Sequence, residues 1–154
     1  MNKKQKYEQV LREIRAQVDD EGDIITVMST IASAIKLRFP HFNWVGFYRL
    51  VDDSTLKVGP YQGGHGCLTI SINRGVCGKC VRDKTMQLHN DISLVADHIA
   101  CDSDTEAEIV FPILDRQNAI RAVLDIDSIT RNCFDEMDVA ALQEVASLVG
   151  GKYV

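Results

Sequence analysis

Glu108-Ile109-Val110-Phe111-Pro112-Ile113-Leu114 and Ile120-Arg121-Ala122-Val123-Leu124-Asp125-Ile126-Asp127 are two apolar, β-branched runs on either side of the polar turn Asp115-Arg116-Gln117-Asn118. They read as a hairpin of two buried strands, because short apolar runs bounded by turn residues are the mark of paired strands. Moving toward the N-terminus, Asn43–Leu50, Thr55–Val58, Leu68–Ile72 and Met86–Leu88 add four shorter strand candidates. Before them Tyr7, Val10, Leu11, Ile14 and Val18 recur at helical spacing, which predicts a helix from Lys4 to Asp19. Asp23 is placed to cap a second helix, whose apolar face is Ile24, Met28, Ile31, Ala32 and Ile35 and which Pro40 closes. A short helix is expected over Cys77–Arg82, and a last one begins near Asp135 and buries Val139, Leu142, Val145, Ala146 and Val149. Strands so close in sequence favour an antiparallel sheet of about six strands with the terminal helices on one face, an α+β fold.

The 154 residues suit one domain spanning 1–154, and 45% hydrophobic with 25% charged residues supports a substantial core. A net charge of −5 argues against a nucleic-acid surface, and no apolar run approaches the ~20 residues of a membrane span. Met1-Asn2-Lys3-Lys4 does not run into an apolar leader core, so a cytoplasmic location is expected. In that reducing compartment the five cysteines are not a disulfide framework but reactive, metal-binding or inert thiols. Pro60–Asp104 is loop-rich, and binding residues concentrate in such segments.

Three of those thiols sit in distinctive settings: Cys67, Cys77 within Gly75-Val76-Cys77-Gly78, and Cys101 within His98-Ile99-Ala100-Cys101-Asp102. Read without further context, Cys77-x-x-Cys80 with His98-x-x-Cys101 has the spacing of a Cys₃His zinc site. Asp125 and Asp127 alternate with Leu124 and Ile126, so both acids project from one face of their strand. A reactive thiol near buried acids suggests redox chemistry on a small polar substrate.

Taken in order, Asn43-Trp44-Val45-Gly46-Phe47-Tyr48, Gly59-Pro60-Tyr61-Gln62-Gly63, Cys67, the Cys77 and Cys101 motifs, Glu108-Ile109-Val110 and Leu124-Asp125-Ile126-Asp127-Ser128 resemble the GAF-domain free methionine-(R)-sulfoxide reductases. The spacing of ten positions from Cys67 to Cys77 and 24 from Cys77 to Cys101 is part of that likeness. The resemblance implies a cytoplasmic homodimer that reduces free L-methionine-(R)-sulfoxide to L-methionine and is recycled by thioredoxin. It places Cys101 at the catalytic position, Cys67 at the main resolving position and Cys77 at a third family cysteine. Glu108, Asp125 and Asp127 fall at pocket acids, and Trp44 at an aromatic wall. Departures are Lys79-Cys80 after the Cys77 motif, Arg121 before the Val123–Asp127 run, a longer hairpin turn, and Ala96-Asp97 before His98. A non-catalytic GAF module that binds and reports a small ligand is the rival reading.

The chemistry implied is thiol attack on the sulfoxide sulfur while its oxygen takes a proton, leaving a sulfenic acid for a second thiol to resolve. It requires no organic cofactor or metal. Carboxylates beside a thiol oppose its ionisation, a conflict eased if one acid is kept protonated by burial and donates to the sulfoxide oxygen. Glu108, at the start of an apolar strand, is the expected donor. The other acids would hold the free α-ammonium, which a peptide-bound residue lacks.

Overall fold

The expected hairpin forms as β5 (Ala107–Leu114) and β6 (Ile120–Ser128) in the computed structural model, which describes residues 1–99 and 101–154. Ala100, inside the Cys101 motif, lies outside the described residues. At the turn Asn118 takes a left-handed conformation (φ 63°), which asparagine tolerates better than most residues. Hydrogen bonds from Asn118 N to Asp115 O (2.9 Å) and from Asp115 N to Ala119 O (2.9 Å) close the turn.

The hairpin belongs to one six-stranded antiparallel sheet in the order β3-β2-β1-β6-β5-β4, with β1 and β6 at its centre. The other strands are β1 (Phe42–Leu50), β2 (Thr55–Gly63), β3 (Thr69–Ser71) and β4 (Gln87–His89). β2 runs past the expected Val58 because its pairing with β1 shifts register between Val58 and Tyr61. Pro60 sits in that irregularity, where its missing N–H breaks no ladder bond.

Three helices cover one face: α1 (Lys3–Val18), α2 (Ile24–Arg38) and α4 (Glu136–Gly150). Asp23 caps α2 by accepting from Thr26 N at 2.9 Å, an interaction worth about 1 kcal/mol. Phe42, Val45 and Phe47 of β1, Ile109, Phe111 and Ile113 of β5, and Leu124 and Ile126 of β6 pack beneath these helices. A register shift between Phe42 and Trp44 explains why Phe42 and Val45, three apart, reach the same face. Asp138, buried in α4, accepts from Tyr7 Oη (2.5 Å) and Lys3 Nζ (2.6 Å), tying the first helix to the last.

The remaining helix, α3 (Gly75–Asp83), packs on the opposite face with Trp44, Tyr48, Val110 and Val123. That two-sided arrangement leaves an apolar layer under α3 in which a site can be enclosed. No helix among the described residues is long and apolar enough to cross a membrane.

Candidate active site

Strand alternation decides what faces α3. On β5 the residues between the core positions are Glu108 and Val110, on β6 they are Val123, Asp125 and Asp127, and on β1 they are Trp44, Gly46 and Tyr48. Register then gathers them, since Glu108 lies opposite Asp127, and on the other side of β6 Trp44 lies opposite Asp127 and Gly46 opposite Asp125. Side chains directly opposite in antiparallel strands have Cβ atoms about 5 Å apart, so three acids share one small area.

Trp44 forms the wall beside them, stacked on Tyr48 (ring centroids 5.3 Å) and Tyr61 (5.2 Å). Gly66 leaves the space this stack needs: a Cβ there would lie 2.9 Å from Trp44 Cζ2 and 3.1 Å from Tyr48 Oη. Tyr48, which reads from sequence as packing, also lines the cavity, and burial followed by the nearby Asp125 raises its phenol.

Cys101 is disulfide-bonded to Cys67, with Cα atoms 5.3 Å apart across a sequence separation of 34. Two anchors hold the Cys101 loop. Before it, Asp97 accepts from Gly75 N (3.0 Å) and Arg74 Nη2 (3.3 Å), fastening the loop to the start of α3. Gly75 itself has φ 71°, and a Cβ there would press on Ile99 Cδ1 at 2.8 Å. After Cys101, Asn43 Nδ2 donates to Asp102 Oδ2 (2.9 Å) and Thr105 Oγ1 (3.0 Å), fastening the loop to β1. These anchors escaped sequence reading; the only signal was Asp97 standing in a turn where the resemblance leads one to expect otherwise.

Cys77, on the first turn of α3, lines the same cavity, as do His65, His98 and Cys101. The cavity volume is about 20 Å³, room for a water and no more.

Charge is distributed differently from expectation. Burial pushes Glu108 up, but His98 Nε2 at 3.3 Å from Glu108 Oε1 and hydrogen bonds from Asp125 and Asp127 outweigh it and hold Glu108 below its ordinary range. Burial, then the neighbouring acids, drives Asp125 well above the carboxylate range. Burial and then Glu108 do the same to Asp127. The directions favour the neutral form at the two aspartates and the ionised form at Glu108, the acid that His98 reaches. The Oδ1 atoms of Asp125 and Asp127 and the Trp44 Nε1–H are buried without a hydrogen-bond partner among the described residues. Such orphaned groups favour a polar ligand in the cavity.

Cys77 is also pushed well up, first by burial and then by Asp125 and Glu108. Cys80 turns its thiol toward Val110 O (3.9 Å) and is pushed up to about 12, mainly by burial. Cys133 lies by α4, where Lys3 Nζ donates to its carbonyl oxygen at 3.0 Å. With Cys101 in the disulfide and Cys80 facing a carbonyl, the Cys77, Cys80, His98, Cys101 zinc reading does not assemble.

Comparison with known proteins places this architecture. Residues 21–151 match the GAF domain family. The free methionine-R-sulfoxide reductase of Escherichia coli strain K12 is 35% identical over 147 residues, 96% of this chain and 88% of its own length. The free methionine-R-sulfoxide reductase of Saccharomyces cerevisiae is 33% identical, with 97% and 86% covered. The crystal structure of free methionine-R-sulfoxide reductase from Neisseria meningitidis in complex with its substrate superimposes with a TM-score of 0.92 at 34% identity, covering 99% of this chain and 90% of that one.

Proposed function

The chain belongs to the GAF-domain free methionine-(R)-sulfoxide reductase family, and on that premise we propose that it reduces free L-methionine-(R)-sulfoxide to L-methionine with Cys101 as nucleophile and Cys67 as resolving thiol. The observation that carries the proposal is the Cys67–Cys101 disulfide, whose Cys101 lines the same cavity as Glu108, Asp125 and Asp127. A module that only bound and reported a ligand would have no use for that pair.

In the reduced protein, ionised Glu108 takes the substrate's α-ammonium, and the stacked face of Trp44 and Tyr48 takes its methyl and thioether end. The ammonium restores neutrality beside Cys101, which removes the like-charge obstacle to a thiolate. Asp127 is the proton donor to the sulfoxide oxygen. Burial and then Glu108 favour its neutral form, and it lies opposite Trp44 in the sheet register, beside the wall that takes the thioether end.

Cys101 Sγ attacks the sulfoxide sulfur; oxygen passes to Cys101 as a sulfenic acid, and methionine leaves with both electrons on sulfur. Cys67 then attacks Cys101 Sγ, releasing water and closing the disulfide. A thioredoxin-type dithiol reopens it by exchange. Cys77 serves as a second resolver when Cys67 is absent. The whole chain, 1–154, works as one GAF-type domain, as a cytoplasmic homodimer.

The test is consumption of racemic free methionine sulfoxide with dithiothreitol as reductant. Half the substrate is consumed, a methionine sulfoxide peptide is untouched, and Cys101→Ser abolishes turnover. No consumption by fully reduced protein rejects the activity.

A further inference from the structure

We propose that this cavity binds a thiophilic divalent cation, of the Zn²⁺, Co²⁺ or Cd²⁺ class, through Cys77 Sγ and the carboxylates of Glu108 and Asp125. One donor atom from each of these residues lies within 4.8 Å of the others. They come from three separate elements, α3, β5 and β6, so their approach is fixed by the sheet and the helix packed on it rather than by a loop. All three are enclosed: Cys77 is 5%, Glu108 6% and Asp125 4% exposed. Asp125 Oδ1 is inaccessible, has no hydrogen-bond partner among the described residues, and belongs to the cavity lining.

Zinc binds thiolate sulfur at about 2.3 Å and carboxylate oxygen at about 2.1 Å, so tetrahedral donors sit about 3.5 Å apart. Closing the set around an ion therefore takes side-chain rotations of about 1 Å. One thiolate with two carboxylates selects a borderline-soft ion over Mg²⁺ or Ca²⁺, which take oxygen donors alone. On coordination the Cys77 thiol and the Asp125 carboxyl release their protons to solvent. The fourth position stays open to water, as at three-ligand zinc sites.

The thiol distinguishes this site from the substrate's ammonium site. An ammonium needs only acceptors, and Cys77 adds nothing to its capture; an ion uses all three groups. The set also differs from the Cys77, Cys80, His98, Cys101 pattern read from spacing, and it survives while Cys67 and Cys101 are joined. Occupancy takes Glu108 away from the ammonium, so the ion and the amino acid exclude one another. Ion binding itself does not depend on the proposed reductase activity.

The test uses oxidised protein, with the Cys67–Cys101 bond verified and no thiol reductant present, titrated with Co²⁺. The expected result is one equivalent bound, with a thiolate-to-cobalt charge-transfer band that Zn²⁺ bleaches and Mg²⁺ does not. Cys80→Ser and Cys133→Ser keep the band, and Cys77→Ser loses it. Asp125→Asn, which keeps the side-chain volume, weakens binding at least about tenfold. Absence of the band in wild type, its persistence at wild-type affinity in Cys77→Ser or Asp125→Asn, or its loss in Cys80→Ser overturns the site. Because no step involves turnover, a failure here is distinct from a failure of the sulfoxide assay.

Discussion

Replacing Asp127 with asparagine isolates the proton that the proposed reaction needs. The amide keeps the shape of the side chain and still donates a hydrogen bond, but it cannot release a proton to the leaving oxygen. Because burial and then Glu108 already hold Asp127 in its neutral form, the substitution removes no charge from the cavity. Substrate binding should therefore stay within about threefold, while kcat falls by the 10²–10⁴ typical of a lost general acid, about 2.7–5.4 kcal/mol. The pH profile carries a second signature. Donation requires the protonated carboxyl, so the wild-type rate declines as pH rises through the elevated Asp127 pKa. Asp127→Asn lacks that limb. The assay is single-turnover methionine release by excess reduced enzyme across a pH series, which separates chemistry from recycling. A variant with near-normal kcat and an unchanged basic limb, or with a raised KM alone, refutes the assignment.

Glu108→Gln should do the reverse, raising KM by about 10–100-fold with a smaller change in kcat, because it removes the charge that holds the ammonium, worth about 1.5–3 kcal/mol; steady-state kinetics on the free amino acid decides it. Asp125→Asn should stabilise the oxidised protein at neutral pH by at least about 3 °C in thermal midpoint. The sign follows from the raised folded-state pKa of Asp125: its contribution is fully present below the unfolded carboxylate value of about 3.9 and is lost as pH rises through the folded one. The advantage of the variant should shrink as pH falls toward 4, and a variant less stable than wild type at neutral pH contradicts the burial of a neutral acid. Gly66→Ala should push against the Trp44 and Tyr48 rings and cost about 1–3 kcal/mol. Trp44 is the chain's one tryptophan, so its emission reports the displacement directly.

Local patterns carried much of this site. The Asp125–Asp127 alternation is legible in sequence because a strand repeats every two residues, and Asp23 declares the second helix because a cap is a local interaction. Glu108 could be read as a pocket acid, but not as the ionised one. That depends on His98 reaching it from a loop ten positions away in sequence, a contact no periodicity encodes. The pairing of Cys67 with Cys101 followed only from resemblance, since both lie in irregular segments, the Cys101 loop being held by Asp97 to the start of α3 and by Asn43 to β1. The far end of β2 was hidden by Pro60, which reads as a strand end unless the bulge that accommodates it is known.

The most direct measurement is one round of reaction without reductant: fully reduced protein is given excess free methionine sulfoxide, methionine is counted, and the linked cysteines are identified by peptide mass spectrometry. One methionine per chain with Cys67 joined to Cys101 is the predicted result. Methionine released with the bond elsewhere, or the bond formed with no methionine released, contradicts the account.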